Sequence, residues 1–208
     1  MSKDKVSTTD TDMASTTDPD LSGAVPADGE YVLSTSETKI EWTGTKTLIA
    51  DYKDTGTIGL KSGSFTLADG NVASGTIVFD MKTIAGTETS NKTIPITNLA
   101  THLMSPDFFD VAKYPTATFV VTEAEVVGGS AGAFILTGDL ELKGVKNEIQ
   151  IPIKLADADG QVAASGVFTI DRTKWGIKYG SGKFFKDLGD KVIADNIDIQ
   201  FVATAAKK

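Results

Sequence analysis

The sequence predicts an all-β domain, an antiparallel sheet that closes into a barrel or stacks as a sandwich, with one short helical segment. Three observations carry this reading. From Glu30 onward, short runs place apolar residues at every second position. Gly, Asp and Asn separate those runs at spacings of roughly 10 to 15 residues, the interval of hairpin-connected strands. The 208-residue chain then shows no second change of texture, so one large domain accounts for it.

Taken in order, Ser2 to Gly29 is Ser, Thr, Asp and Pro with almost nothing to bury, and residues 1–29 are expected to be a disordered acidic leader. The barrel domain is expected over 30–204, with a short tail at 205–208. Its first strands are Tyr31 to Ser34, Lys39 to Thr45, Thr55 to Leu67 and Val72 to Met81, with Asp69-Gly70-Asn71 as a tight turn. Thr87 to Tyr114 alternates weakly and reads as a loop with one or two short helices. The clearest covers Asn91 to Leu103 and is kept short by Pro95. Thr116 to Val127 is another strand. In Ala133 to Leu142, Phe134, Leu136, Gly138, Leu140 and Leu142 share one face. Gly144 to Asn147 can turn the chain into Ile149, Ile151, Ile153 and Leu155. Val162, Ala164, Gly166, Phe168 and Ile170 repeat the pattern, and Ile197, Ile199, Phe201 and Ala203 end it. Closing such strands on themselves removes exposed edges, and the interior is then either packed or holds one small ligand. The small inward residues Gly138, Ala164 and Gly166 fit both a cavity and mere barrel curvature.

Composition excludes several functions. Acidic residues number 28 against 20 basic, a formal charge of -8, which argues against a protein that coats nucleic acid. No cysteine is present, so disulfides, thiolate metal sites and cysteine catalysis are absent together. No run reaches the roughly 18 apolar residues of a membrane span, and Met1 to Ala24 lacks the hydrophobic core of a signal peptide. Nothing in the chain signals a coiled coil or repeat, although pairing of two barrels stays open.

Motifs for chemistry are weak. The single histidine, His102, could act as a base assisted by Asp107 or Asp110, but Ser105 stands in Met-Ser-Pro without a glycine elbow. A polar brace or pocket-lining histidine is the better reading. Neither Asp157-Ala158-Asp159-Gly160 nor Asp187 to Asp195 has calcium-loop spacing, and no metal is expected. In Gly180-Ser181-Gly182-Lys183, Phe184 stands where a phosphate loop needs Ser or Thr. Arg172, the only arginine, follows Asp171 and reads as a backbone clamp or as a cation meeting an anionic head group.

Three stretches, in order, carry a family resemblance: His102 to Asp110 with Tyr114 to Phe119, then Leu136 to Val145, then Ile170 to Ile177. Over about Glu30 to Val202 the chain resembles the YceI-like family, lipocalin-like proteins that include periplasmic polyisoprenoid binders. The resemblance implies an extended antiparallel barrel of about eight strands, with a channel for a long apolar chain and a helical segment near one end. On that analogy Phe108, Phe109, Phe119, Leu140, Phe168 and Trp175 are the candidate cavity or entrance residues. His102, Asp107 and Arg172 are the candidates to brace a loop or meet a head group. Two departures stand out: no second histidine occurs near Trp42 to Thr45, and Leu99-Ala100-Thr101 lacks the arginine that often precedes His-Leu.

The expected function is noncatalytic binding or transport of a polyisoprenoid, isoprenoid quinone or related long-chain lipid, with no other cofactor. The alternative is a structural or protein-interaction barrel without cargo. The resemblance implies a periplasmic or cell-envelope location, while the chain itself, without an export signal, fits the cytoplasm as well.

Overall fold

Alternating inward and outward residues pair into one continuous antiparallel ladder. The structure, a computed structural model, describes residues 25–93, 95–128 and 132–208, so most of the expected leader lies outside the described residues. The elements are β1 Gly29–Leu33, β2 Lys39–Lys46, β3 Lys53–Ala68, β4 Asn71–Thr89, α1 Ile96–Met104, β5 Thr116–Val126, β6 Ala133–Leu142, β7 Val145–Ala158, β8 Gln161–Asp171 and β9 Ile193–Lys207. Neighbours run β3-β2-β9-β8-β7-β6-β5-β4, and β4 pairs back with β3, which closes an eight-position barrel. The ninth strand, β1, adds no position. Like β2 it runs antiparallel to both β3 and β9, opposite 64–67 and 205–207, while β2 lies opposite 53–57 and 193–202. The two are one barrel strand broken at 34–38, where Ser34 N–H still donates to the Thr204 carbonyl at 2.8 Å.

Several boundaries move for identifiable reasons. β9 runs to Lys207 and pairs with β1 and β8, so Ala205 to Lys207, expected in a tail, extend the ladder. Residues of the expected leader that are described are tied to the barrel. Asp28 accepts hydrogen bonds from the Asp69 and Gly70 amides at 2.9 and 3.0 Å and caps the β3–β4 turn. The β6–β7 turn is the pair Lys143-Gly144, both at positive φ, rather than the longer Gly144 to Asn147. β4 continues through Thr89, well past Met81. The β3–β4 register shifts at four places, and each bulge breaks the period of two that would have marked the strand. α1 begins directly after Pro95, whose fixed φ suits a helix start and which has no amide to donate. It ends before Pro106. Among the described residues no helix is long and apolar enough to cross a membrane.

The barrel has two unlike ends. At one, Tyr31, Leu67, Phe134, Val162 and Ala205 pack into a solid plug, the last four at 1% exposure or less. At the other lie the β2–β3 turn, the β4–α1–β5 crossover, the β6–β7 turn and the long β8–β9 loop. Inward glycines serve neighbouring rings. A Cβ on Gly138 would stand 2.6 Å from the Phe119 ring and would also collide with the Val120 carbonyl; one on Gly166 would stand 2.6 Å from the Phe201 ring. The room left by each missing side chain is therefore filled by a cross-strand aromatic, which decides between cavity and curvature at these two positions. Gly138→Val should force Phe119 to shift and lower stability by about 1–3 kcal/mol, the usual range for overpacking. The shift of the urea midpoint measures it.

Candidate functional site: an apolar cavity with a polar entrance

Between the plug and the open end the inward faces do not meet, and a cavity of about 480 Å³ remains. That volume falls within the ordinary range of small-molecule pockets. Its walls are almost wholly apolar side chains. Along β3 the lining runs from Asp54 to Phe65, roughly 36 Å of strand at about 3.3 Å per residue. Five of the six residues expected at a cavity line it: Phe119, Leu140 and Phe168 from the wall, Phe108 and Phe109 from the turn after α1. That turn is knotted onto the helix by the Phe109 amide donating to Leu103 and the Val111 amide to Met104, at 3.0 and 2.9 Å, which buries Phe108 and Phe109 over the opening.

Trp175 is the correction. It does not line the cavity. The 3-10 turn Arg172–Trp175 carries it past the end of β8 toward the β6–β7 hairpin, where it is 1% exposed and its Nε1 donates to the Leu140 carbonyl at 3.0 Å. A tryptophan whose one donor is met by a backbone carbonyl is a packing element here.

Polar groups in the lining gather at the open end. Tyr52 Oη donates to Asp54 at 3.2 Å, Thr89 Oγ1 donates to the other Asp54 oxygen at 2.6 Å, and the Lys46 ammonium sits 4.7 Å from the Tyr52 ring centroid. Burial raises the Tyr52 pKa, and the Asp54 charge and hydrogen bond push it the same way, so the phenol stays a neutral donor. Asn91, Tyr179 and Lys191 complete this rim. Tyr52 and Asp54 are neighbours in the chain, Asn91 comes from a distant segment without a motif, and the pairing of Asp54 with Thr89 brings the two segments together.

His102 lines the cavity, and its Nε2 lies 3.2 Å from Asp107, which is itself outside the lining. Its ring stands edge-on to Phe108 and Tyr179, at centroid distances of 4.9 and 4.7 Å. Ser105 Oγ donates to the carbonyl of His102 at 2.8 Å, so the hydroxyl is aimed at the backbone and not at the imidazole. The contacts are those of a brace between the crossover and the β8–β9 loop.

Arg172 also touches the cavity wall but spends its donors elsewhere. At 1% exposure, its guanidinium donates to the carbonyls of Ala194, Ile177, Tyr179 and Ile193 at 2.8–3.2 Å, with Asp195 at 3.7 Å. Burial lowers its pKa, opposed by the charges of Asp195 and Asp171. Of the two readings offered by the sequence, the geometry is that of the clamp: this side chain ties both ends of the β8–β9 loop to the barrel. Lys183 adds a second tie, at 2.9 Å from Asp171 and 3.2 Å from Asp195.

Arg172→Ala would leave four carbonyls without their donor and Asp195 with Lys183 as its remaining cation, and the expected loss is about 3 kcal/mol or more in chemical denaturation. Arg172→Lys should recover little of it, since an ammonium cannot reproduce the planar fork. Burial pushes the Asp171 carboxyl up, but hydrogen bonds from Thr173 and Lys183 outweigh this and hold its pKa below the ordinary 3.8. A depressed folded pKa gives stability that is complete above the unfolded value and is lost as pH falls through the folded one. Melting temperature should therefore fall below about pH 4, and Asp171→Asn should flatten that part of the profile.

With this geometry in place, likeness to known proteins becomes informative. Protein YceI of Escherichia coli O157:H7 is 39% identical over 88 residues, 39% of this chain and 44% of that protein, so the match spans less than half of the relative's length. A UPF0312 protein of Pseudomonas aeruginosa is 48% identical over 54 residues, 26% of this chain and 27% of that one. Among solved structures, Burkholderia cenocepacia BcnA superposes with a TM-score of 0.64 at 21% identity, covering 84% of this chain and 99% of that one. A polyisoprenoid binding domain from Saccharophagus degradans gives 0.61 at 18%, covering 86% and 98%. At such identities these superpositions speak for a shared fold. The family model of the YceI-like domain matches residues 31–205, essentially the whole barrel, and the chain belongs to the YceI-like family.

Proposed function

We propose that this protein is a noncatalytic carrier that binds one long apolar chain, of the polyisoprenoid or isoprenoid-quinone kind, inside the barrel. The single observation that carries the reading is the cavity: apolar walls, a plug at one end and, Thr38 at the strand break aside, polar groups gathered at the other. That layout matches an amphiphile whose tail lies along the barrel and whose head rests at the rim. Each methylene withdrawn from water contributes about 0.8 kcal/mol, so ten of them supply about 8 kcal/mol against the cost of ordering ligand and protein. Few polar contacts are then needed. The polyisoprenoid-binding description of one structural neighbour supports the same class of cargo. A cell-envelope setting, where such lipids reside, goes with this reading.

Organic extraction and mass spectrometry of the folded protein, with an unrelated barrel prepared alongside, tests it. A long-chain species near one per barrel is expected. Ala164→Trp, which places a large ring on the cavity wall at a lining position, should abolish uptake of added polyprenol in a protein that still melts cooperatively. A wild-type barrel that is empty and takes up neither polyprenols nor quinones would sink the carrier and leave the protein-interaction barrel.

A further inference from the structure

The two loops that flank the cavity entrance leave large apolar side chains in water. Phe184 and Phe185 in the β8–β9 loop are 47% and 49% exposed, and Leu48 in the β2–β3 turn is 65% exposed. They sit at one end of the barrel. Lys46 pairs with Ile193, the Thr47 amide donates to the Val192 carbonyl at 3.3 Å, and the Ile193 amide donates to Gly180 at 2.8 Å, so the two loops lie side by side. The phenylalanines are held at the surface by structure beneath them. Both amides donate to the carbonyl of Ser181, which is fully buried, and the Arg172 clamp and the Lys183 ion pairs fix the rest of the loop. A braced loop that holds adjacent aromatic rings in solvent is a contact surface, since burying them inward would cost nothing in chemistry.

Charge says what the contact is. The connections at this end, 47–52, 90–115, 143–144 and 172–192, carry nine Lys and Arg against five Asp, on a chain whose total is -8. The buried Arg172 aside, the surplus is still three. The described turns at the plugged end, 69–70 and 159–160, carry two Asp and no base. Screening at physiological salt confines a surface charge to about 8 Å, so an approaching surface meets the local surplus and not the net charge. Lys178 stands 4.7 Å over the Phe184 ring, and Lys186 follows Phe185 directly. Exposed aromatics set among lysines are the combination that seats a protein in the interface of an anionic bilayer.

We propose that the entrance end of the barrel docks on anionic lipid membranes, with Phe184, Phe185 and Leu48 inserted among the acyl chains and the surrounding lysines on the head groups. Tyr179 and Lys191, on the same loop as the phenylalanines, line the cavity mouth. Docking thus sets the mouth against the bilayer, and the acidic remainder of the barrel, repelled by it, keeps that orientation. The inference reaches past cargo binding and stands without it.

Flotation of the delipidated 208-residue chain with vesicles tests docking independently of cargo. Phosphatidylcholine vesicles in which about a third of the lipid is phosphatidylglycerol should carry the protein at low salt, and pure phosphatidylcholine should not. Phe184→Ser with Phe185→Ser should weaken binding about tenfold or more. Lys178→Glu with Lys186→Glu should weaken it about fivefold or more per lysine and remove the salt dependence. Val126→Ser with Val127→Ser, near the plugged end, should change nothing. Equal binding to both vesicle types, no binding to either, or binding undiminished in the phenylalanine variant would overturn the proposal. So would a dimer in sedimentation that the phenylalanine variant dissolves, because a second copy would then cover the patch.

Discussion

Closure of the sheet is the constraint from which the other features follow. Once β4 pairs back with β3, no edge is left to satisfy and every second residue of each strand must face a cylinder of fixed width. Eight strand positions make a cylinder that side chains can fill only if enough of them are large and meet in register. At the plugged end they do, through Leu67, Phe134, Val162 and the Tyr31 ring stacked 5.3 Å from Phe65. Further along, the same period of two continues, but the inward side chains leave a gap. The cavity is therefore no separate construction; it is the part of the core that closure left unfilled.

The open end needs a different solution, because loops must leave the ladder there without exposing the interior. The crossover supplies one cover, folding Phe108 and Phe109 over the opening through backbone bonds to α1. The β8–β9 loop supplies the other, held by one buried guanidinium that answers carbonyls on both of its arms. His102 and Tyr179 meet where the two covers touch, 4.7 Å between centroids. The polar residues of the site are thus first of all the fastenings of a rim, and a head group would meet them because they are where the apolar wall ends. Ser105 and Arg172 belong to the same set of fastenings, each committed to backbone carbonyls.

Much of this was legible in the chain. The inward face of β6 was readable from Phe134 to Leu142, and the faces ending at Leu155, Ile170 and Ala203 likewise, because regular antiparallel strands leave the period of two intact. The extent of β4 was not, since four register shifts in the β3–β4 pairing scramble that period. Of the site, Phe119, Leu140 and Phe168 could be found by alternation within a single strand. The gathering of Tyr52 and Asp54 with Asn91 could not, as it depends on pairing between distant segments. Trp175, a candidate by family analogy alone, stands outside the lining because a 3-10 turn that ends at Gly176 in the left-handed region carries it past the end of the strand.

By itself, then, the sequence determined the class of fold, the strand faces, the family and an interior rich in apolar residues, because those depend on local alternation and on short motifs. Whether the interior is solid or hollow was decided only in three dimensions. Gly138 and Gly166 fitted a cavity and barrel curvature equally; the rings of Phe119 and Phe201 occupy the room they leave, while the gap lies along other inward positions, Ala164 among them. The role of Arg172 and the gathering of Leu48 with Phe184 and Phe185 were settled in the same way. Volume, and the company a side chain keeps across strands, are properties of the closed cylinder, and no stretch of chain contains them before it closes.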